Sequence, residues 1–273
     1  MDIFQALILG IVQGITELLP ISSSGHLVVL PALFSWKPNA LAFDTILHLG
    51  TALALLIYFR RDIWEIFCSL FRDVIDKGTK LKGYSENSIL GLKIIVGSVP
   101  AGVIGVLFEK TIATYFHEVL SVVIFLFLGT VLMILAERFG KEAITNVGQV
   151  SVKKSFMIGL FQSLALLSGV SRSGATISGA MLLGIRRDLA AKFSFLLSIP
   201  IVLGAGLFEL RNFAVDPISV RPEILLTGFV SSFIFSILAV NFLLGFLKNH
   251  KLNVFIWYRL FLAFILLVTL FIF

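Results

Sequence analysis

Apolar runs of about twenty residues, separated by short polar segments, occupy most of the chain. None shows the period-two alternation of a strand, so helices are the predicted spanning units. Full crossings are predicted over Leu41 to Phe59 and near 89–108, 119–137, 192–209, 223–247 and 254–272. Pro200 is expected to kink the fourth of these, and Asp216-Pro217 and Arg221-Pro222 mark the loop after it. The segment after Phe59, with Arg60, Arg61, Arg72, Lys77, Lys80 and Lys82, reads as a basic loop.

Two stretches break this plan. An apolar run from Ile3 to Pro20 carries Gln13 and Glu17, then gives way to Ser22-Ser-Ser-Gly-His26 and only eight apolar residues, Leu27 to Phe34. At about 1.5 Å per residue, eight residues do not cross a hydrocarbon layer of roughly 30 Å. Residues 3–35 are therefore predicted to be a re-entrant helix pair that enters and leaves on one side. Residues 155–185 form a second such pair around Ser171-Arg-Ser-Gly-Ala-Thr176, and polar broken backbone of this kind is tolerated in a membrane only where it lines a cavity.

The two breaks are copies of each other. A shift of 149 residues places Gly10 on Gly159, Gln13 on Gln162, Ser22 on Ser171, Ser24 on Ser173 and Gly25 on Gly174. The expected architecture is all-α: a polytopic integral membrane protein forming a single membrane domain over 1–273, with repeat one at 1–140 and repeat two at 150–273. Each repeat holds a re-entrant helix pair plus three transmembrane helices. Three crossings per half start the second repeat on the opposite side, so the repeats are expected to be inverted, with the broken helices meeting near the midplane.

Composition agrees with the membrane reading and adds an orientation. The chain is 58% hydrophobic and 14% charged, with a mean hydropathy of +1.02. The lone Cys68 excludes an internal disulfide, and the N-terminus lacks the basic region and cleavage site of a signal peptide. The net charge of +6 sits in loops beside the spans, which points to membrane orientation and to no nucleic acid. Placing 60–88, 138–154, 186–192 and 248–251 inside gives 15 Lys and Arg there. Four lie outside, Lys37, Lys110, Arg211 and Arg221, while Lys93, Arg172 and Arg259 fall within apolar segments. Both termini then face outward.

An ionisable group inside a membrane segment is costly and marks a functional candidate. Glu17 and Arg172 each lie beside a helix break, with His26 just after the first and Thr176 after the second. Free N–H groups at the two helix starts offer an anion site, and a guanidinium fork suits phosphate oxygens. Ser22, Ser23, Ser24, Ser171 and Ser173 supply hydroxyls, as phosphate donors or as a nucleophile. Glu17 is a candidate ligand for a divalent cation, with Gln13 one helical turn away as a neutral oxygen ligand. The set points to phosphoryl transfer.

Plainer readings stand beside these. Glu17 and Arg172 also fit a buried ion pair joining the repeats, and small residues such as Ser22 to Gly25 let helices approach closely. His48 and His117 read as structural or interfacial, Asp44 as lying at the membrane surface or lining a cavity, and Arg259 as reaching the site or snorkelling. A carrier that flips a lipid phosphate or exchanges a small anion would use the same broken repeats, but it needs no nucleophile.

Gln13-Gly-Ile-Thr-Glu17 followed by Ser22-Ser-Ser-Gly-His26 resembles the first signature of the bacterial undecaprenyl-pyrophosphate phosphatases of the bacitracin-resistance type. Ser168-Gly-Val-Ser-Arg-Ser-Gly-Ala-Thr176 resembles the second, with Ser168 where the family pattern has Pro. The resemblance covers the whole chain and implies an enzyme that removes the terminal phosphate from undecaprenyl pyrophosphate, giving undecaprenyl phosphate, the lipid carrier for cell-wall precursors. It implies catalytic roles for Ser23, His26 and Glu17, with Ser23 the candidate nucleophile, Glu17 the metal or acid/base carboxylate, and His26 a base or itself the nucleophile. Arg172 would clamp phosphate with Ser171, Ser173, Thr176 and Ser24 around it. The implied cofactor is a divalent cation, Mg2+ or Ca2+, held by Glu17 with Gln13, although the uncharged Gln13 weakens its claim. The implied location is the bacterial cytoplasmic membrane, with the site opening on its outer face. Membrane lipids and the lipid substrate are the expected partners, and the sequence leaves a homodimer open.

Overall fold

The computed structural model describes residues 1–36, 40–115, 119–213 and 221–272. Lys37, His117 and Asp216-Pro217 lie outside them. The described residues form α1 (Ile3–Leu18), α2 (Ser23–Leu33), α3 (Leu41–Tyr58), α4 (Arg60–Lys77), α5 (Glu86–Tyr115) and α6 (Val119–Phe139). They continue with α7 (Val152–Ser163), α8 (Arg172–Leu182), α9 (Arg187–Phe213), α10 (Pro222–Phe246) and α11 (Asn253–Ile272). Among the described residues the only strand-like pairing is a single bridge between Ile144 and Ile185. Among the described residues five helices are long and apolar enough to cross a membrane: α3, α5, α6, α9 and α10. The protein is an all-helical, polytopic membrane protein. Helix α9 continues through Pro200.

The expected basic loop after Phe59 is helix α4 instead. Its charges alternate with Ile63, Trp64, Ile66, Phe67, Leu70, Phe71, Val74 and Ile75 at helical spacing, which gives one apolar stripe. Trp64, Phe67, Phe71 and Ile75 remain exposed on that stripe. The end of α4 is tied to the start of α5 by Asp73, which accepts from Lys77 Nζ at 2.5 Å, Ser88 Oγ at 2.6 Å and the Ser85 N–H at 2.7 Å. The Lys77 ammonium, then the Ser88 hydroxyl and the Ser85 N–H, hold its carboxyl well below the usual carboxylate range. Lys80 and Lys82 alone are left in the connecting loop.

The basic segments gather at one end of the bundle. Arg187 donates two hydrogen bonds to Glu137, at 2.9 and 3.0 Å, and Glu137 also accepts from the Leu252 N–H at 2.7 Å. Lys192 pairs with Asp62 at 2.5 Å, and Lys154 donates to the Leu183 carbonyl at 2.7 Å. These bonds place the α6–α7, α8–α9 and α10–α11 connections and the start of α4 side by side.

Small residues set the packing of the broken helices. Helix α1 lies against α10, where a Cβ on Gly10 would meet the Gly228 carbonyl at 2.6 Å and one on Gly14 the Ser232 carbonyl at 2.5 Å. Helix α7 lies against α5, where a Cβ on Gly159 would sit 2.1 Å from the Gly97 carbonyl. Each broken helix therefore packs on the middle long helix of the other half of the chain. The two turns after α1 and α7 meet between these pairs.

Candidate active site

Both turns have the same local construction. Ser22 and Ser171 each adopt φ 73°, a left-handed conformation unusual for a side chain with a Cβ. The Ser22 hydroxyl accepts from the Gly25 N–H at 3.4 Å and the Ser171 hydroxyl from the Gly174 N–H at 3.2 Å, so each caps the helix that follows. The Ser22–Ser24 and Ser171–Ser173 hydroxyl pairs are both 3.3 Å apart. The strain at φ 73° is borne because the cap, the serine pair and the neighbouring turn over-determine the backbone.

The turns are also bonded across to one another. Ser24 Oγ accepts from the Gly169 N–H at 3.1 Å, and Ser173 Oγ donates to the Leu19 carbonyl at 3.1 Å. Arg172, first residue of α8, donates to Glu17 Oε1 at 2.7 Å, and both side chains are largely buried, at 11% and 7% exposed. Ser23, first residue of α2, donates to Glu17 Oε2 at 2.5 Å. The Gln13 amide nitrogen donates to the same oxygen at 3.2 Å and lies 3.0 Å from His48 Nδ1. An amide oxygen would be repelled by the carboxylate, so the NH2 group faces Glu17 and His48 Nδ1 is an acceptor.

A cavity of about 430 Å³ opens onto this cluster. Its polar wall holds Glu17, Ser23, Ser24, His48, Gln162, Ser168, Ser171 and Arg172, and Ala101, Ala165, Leu166, Ile201, Val202 and Ala205 give an apolar wall. A polar wall beside an apolar one matches a ligand with a charged head and a hydrocarbon tail.

The expected site residues divide into two groups. Glu17, Ser23, Ser24, Ser171 and Arg172 line the cavity. Gln13 stands behind Glu17 with its Oε1 buried and, among the described residues, without a protein partner. His26, Ser173 and Thr176 are not brought to the cavity. A carbonyl only accepts, so His26 Nδ1 donates to the Ser22 carbonyl at 2.7 Å, leaving Nε2 of the neutral ring to accept from Tyr258 OH at 2.6 Å. Thr176 is fully buried, donates to the Arg172 carbonyl at 2.8 Å and pairs with the Ser194 hydroxyl. These groups hold the turns.

Three further placements settle open readings. His48, read as structural or interfacial, lies in the cavity wall 3.6 Å from Glu17. Asp44 is half-buried on the same helix and is not part of that wall. Arg259 does not snorkel: it is fully buried and donates to Thr130 Oγ1 and to the Leu126, Gly169 and Val170 carbonyls at 2.8–3.1 Å. Adjacent residues of α11 thus brace both turns, Tyr258 the first and Arg259 the second. Gln162 was visible in the sequence as the repeat partner of Gln13, whereas His48 carried no signal beyond being a histidine in a span.

A family model described as bacitracin resistance protein BacA matches residues 6–265, which includes both turns and every cavity residue named above. The chain belongs to that family. Similar proteins named undecaprenyl-diphosphatase include one from Geotalea daltonii, 44% identical over 264 residues and 95% of each chain. Another, from Thermomicrobium roseum, is 42% identical over 279 residues and 98% of each chain. A third, from Methanosphaera stadtmanae, is 41% identical over 265 residues and 94% of each chain. The likeness therefore runs the whole length of the fold.

Proposed function

We infer that the chain is an undecaprenyl-diphosphatase. It removes the terminal phosphate of undecaprenyl pyrophosphate, releasing undecaprenyl phosphate for another round of peptidoglycan synthesis and giving bacitracin resistance. Family membership and the names of the full-length relatives support this reading. The observation that carries it is the Ser23–Glu17–Arg172 cluster at the polar end of the cavity: a hydroxyl aimed at a carboxylate beside a guanidinium.

Ser23 Oγ attacks the terminal phosphorus as Glu17 Oε2 takes its proton, and the bond from that phosphorus to the bridging oxygen breaks. Undecaprenyl phosphate leaves, and water then cleaves the serine phosphate, returning the proton to Ser23 and freeing inorganic phosphate. Arg172 and the N–H groups at the starts of α2 and α8 stabilise the charge that develops on the phosphoryl oxygens. His48 stands next to Glu17 to relay protons between the cavity and the carboxylate.

A divalent cation belongs to the same proposal. Among the described residues no three His, Cys, Asp or Glu side chains gather into a metal cage. One protein carboxylate completed by substrate phosphate oxygens is a usual arrangement for magnesium. Glu17, in the cavity wall, fits that role, whereas Gln13 turns its Nε2 rather than its Oε1 toward Glu17 and lies outside the wall; the cation would neutralise diphosphate charge.

The repeats are proposed to be inverted, with α1–α2 and α7–α8 re-entrant from opposite sides. The clustered basic connections lie on the cytoplasmic side of the bacterial inner membrane by the positive-inside rule. The cavity reaches Thr45 near the start of α3 and Glu209 near the end of α9, which is the opposite end of the bundle. It therefore opens to the outer face, with the prenyl chain in lipid.

The test is phosphate release from undecaprenyl pyrophosphate by purified protein in detergent, with magnesium, with EDTA, and with Arg172→Ala. Release that needs the metal and collapses in the variant is the expected result. Folded protein that releases nothing with magnesium or calcium would overturn the enzyme reading in favour of a lipid-phosphate carrier.

A further inference from the structure

Gln162 sits at the repeat position of Gln13 but is wired differently. Gln13 donates to Glu17, four residues on along its own helix; the residue four beyond Gln162 is Leu166, and that carboxylate has no counterpart. Gln162 is only 2% exposed and lines the cavity. Among the described residues neither its Nε2 nor its Oε1 has a protein partner. A buried amide with both ends unpaired is costly in a fold that otherwise satisfies its turn groups closely. Arg172 NH1, in the same wall, is also buried and unpaired. Two unused donors thus belong to side chains in the wall of one cavity.

Position says which part of the ligand Gln162 meets. Just beyond Gln162 the α-helix tightens into a 3-10 turn over Leu164–Leu166, and Ala165 and Leu166 of that turn are both in the apolar wall. Its repeat mate is followed one helical turn on by Glu17, the carboxylate of the reacting cluster. Gln162 therefore stands where the polar wall of the cavity meets the apolar one.

We propose that Gln162 binds the phosphate that stays on the lipid, its Nε2 donating to a non-bridging oxygen of the phosphate attached to the prenyl chain. This rests on the diphosphatase reading. The site then recognises a diphosphate by both halves: Arg172 and Ser23 take the phosphate that is removed, and Gln162 the one that is kept.

The test uses farnesyl diphosphate as a dispersible polyprenyl substrate, with farnesyl phosphate and inorganic phosphate as inhibitors. Wild type is compared with Gln162→Leu and with Gln162→Met, which keeps the side chain's shape. The expected result is KM raised about tenfold and inhibition by farnesyl phosphate weakened by a similar factor, for loss of one hydrogen bond to a charged group. Inhibition by inorganic phosphate is unchanged. The unliganded melting temperature is equal or higher, because two unpaired polar atoms have been removed. A lower melting temperature with unchanged KM in both variants would assign Gln162 to packing and overturn the proposal. Equal weakening of both inhibitors would overturn the choice of phosphate. If wild type hydrolyses nothing, the function reading fails, and thermal protection by farnesyl phosphate still decides Gln162, being smaller in the variants than in wild type if the subsite is correct.

Discussion

The turn at Ser22–His26 and the turn at Ser171–Ala175 are one backbone used twice for different chemistry. Both hold a serine at φ 73°, both cap their helix with it, and both send a second serine across to the other turn. Their side chains at equivalent positions have nevertheless diverged. Ser23 corresponds to Arg172, Glu17 to Leu166, and His26 to Ala175. In the proposed mechanism the first turn carries the nucleophile, with its base just before it on α1, and the second the clamp. A twofold scaffold offers two equivalent helix N-termini, but attack on phosphorus needs an electron-rich group on one side and positive charge for the oxygens. Divergence at the matched positions provides both without moving the backbone.

The comparison is broken most directly by making the turns alike. Ser23→Ala leaves both helix starts intact and is expected to lower kcat by about 10⁴-fold, because a lost nucleophile is not replaced by its neighbours. Activity within tenfold of wild type, measured as phosphate release, would show that water attacks directly. Arg172→Lys keeps the charge opposite Glu17 but loses the planar fork, and a loss of about 10²-fold in kcat/KM is expected. Lysine that supports full activity would reduce Arg172 to a counter-charge and strengthen the plain ion-pair reading.

These assignments show what the sequence carried and what it did not. The repeat, the two serine breaks and the long apolar helices are written in local pattern, and the matching of Ser22 to Ser171 already located both strained residues. Helix α4 was hidden because its charges, counted without their spacing, outweigh the apolar stripe of Trp64, Phe67, Phe71 and Ile75. His26 looked chemical because the family resemblance implies a base or nucleophile there; its bond to Tyr258, 232 residues away, together with that to the Ser22 carbonyl, shows that both ring nitrogens are engaged. His48 is the reverse case. Its place beside Glu17 depends on how α3 packs against α1, which no local signal encodes.

A smaller effect tests whether the scaffold, unlike the chemistry, is truly shared. Gly10 and Gly159 are equivalent, and each meets a backbone carbonyl of its partner helix. Alanine at either is expected to destabilise by about 2 kcal/mol through overpacking, with kcat little changed in the folded fraction. Gly159→Ala is the worse, since its Cβ would lie 2.1 Å from the fixed Gly97 carbonyl, whereas for Gly10→Ala the backbone contact is the Gly228 carbonyl at 2.6 Å and the nearer atom, Ser231 Oγ at 1.9 Å, can rotate away. Thermal unfolding in detergent ranks them, and a neutral Gly159→Ala would contradict the packing of α7 on α5.

The finest test concerns the two crossed hydrogen bonds, Ser24 to the Gly169 N–H and Ser173 to the Leu19 carbonyl. Each serine-to-alanine change removes one neutral hydrogen bond and is expected to lower stability by about 1 kcal/mol. The double variant carries the information. If the turns form one unit, the first alanine already loosens the contact that the second would weaken, and the pair costs less than the sum by about 0.5 kcal/mol or more. Strict additivity would mean that each turn is held by its own helices, with Arg259 and Tyr258 of α11 rather than the serines keeping the halves in register. The cleft between Ser23 and Arg172 would then be set by α11, and weakening that helix would separate nucleophile from clamp while leaving both turns intact.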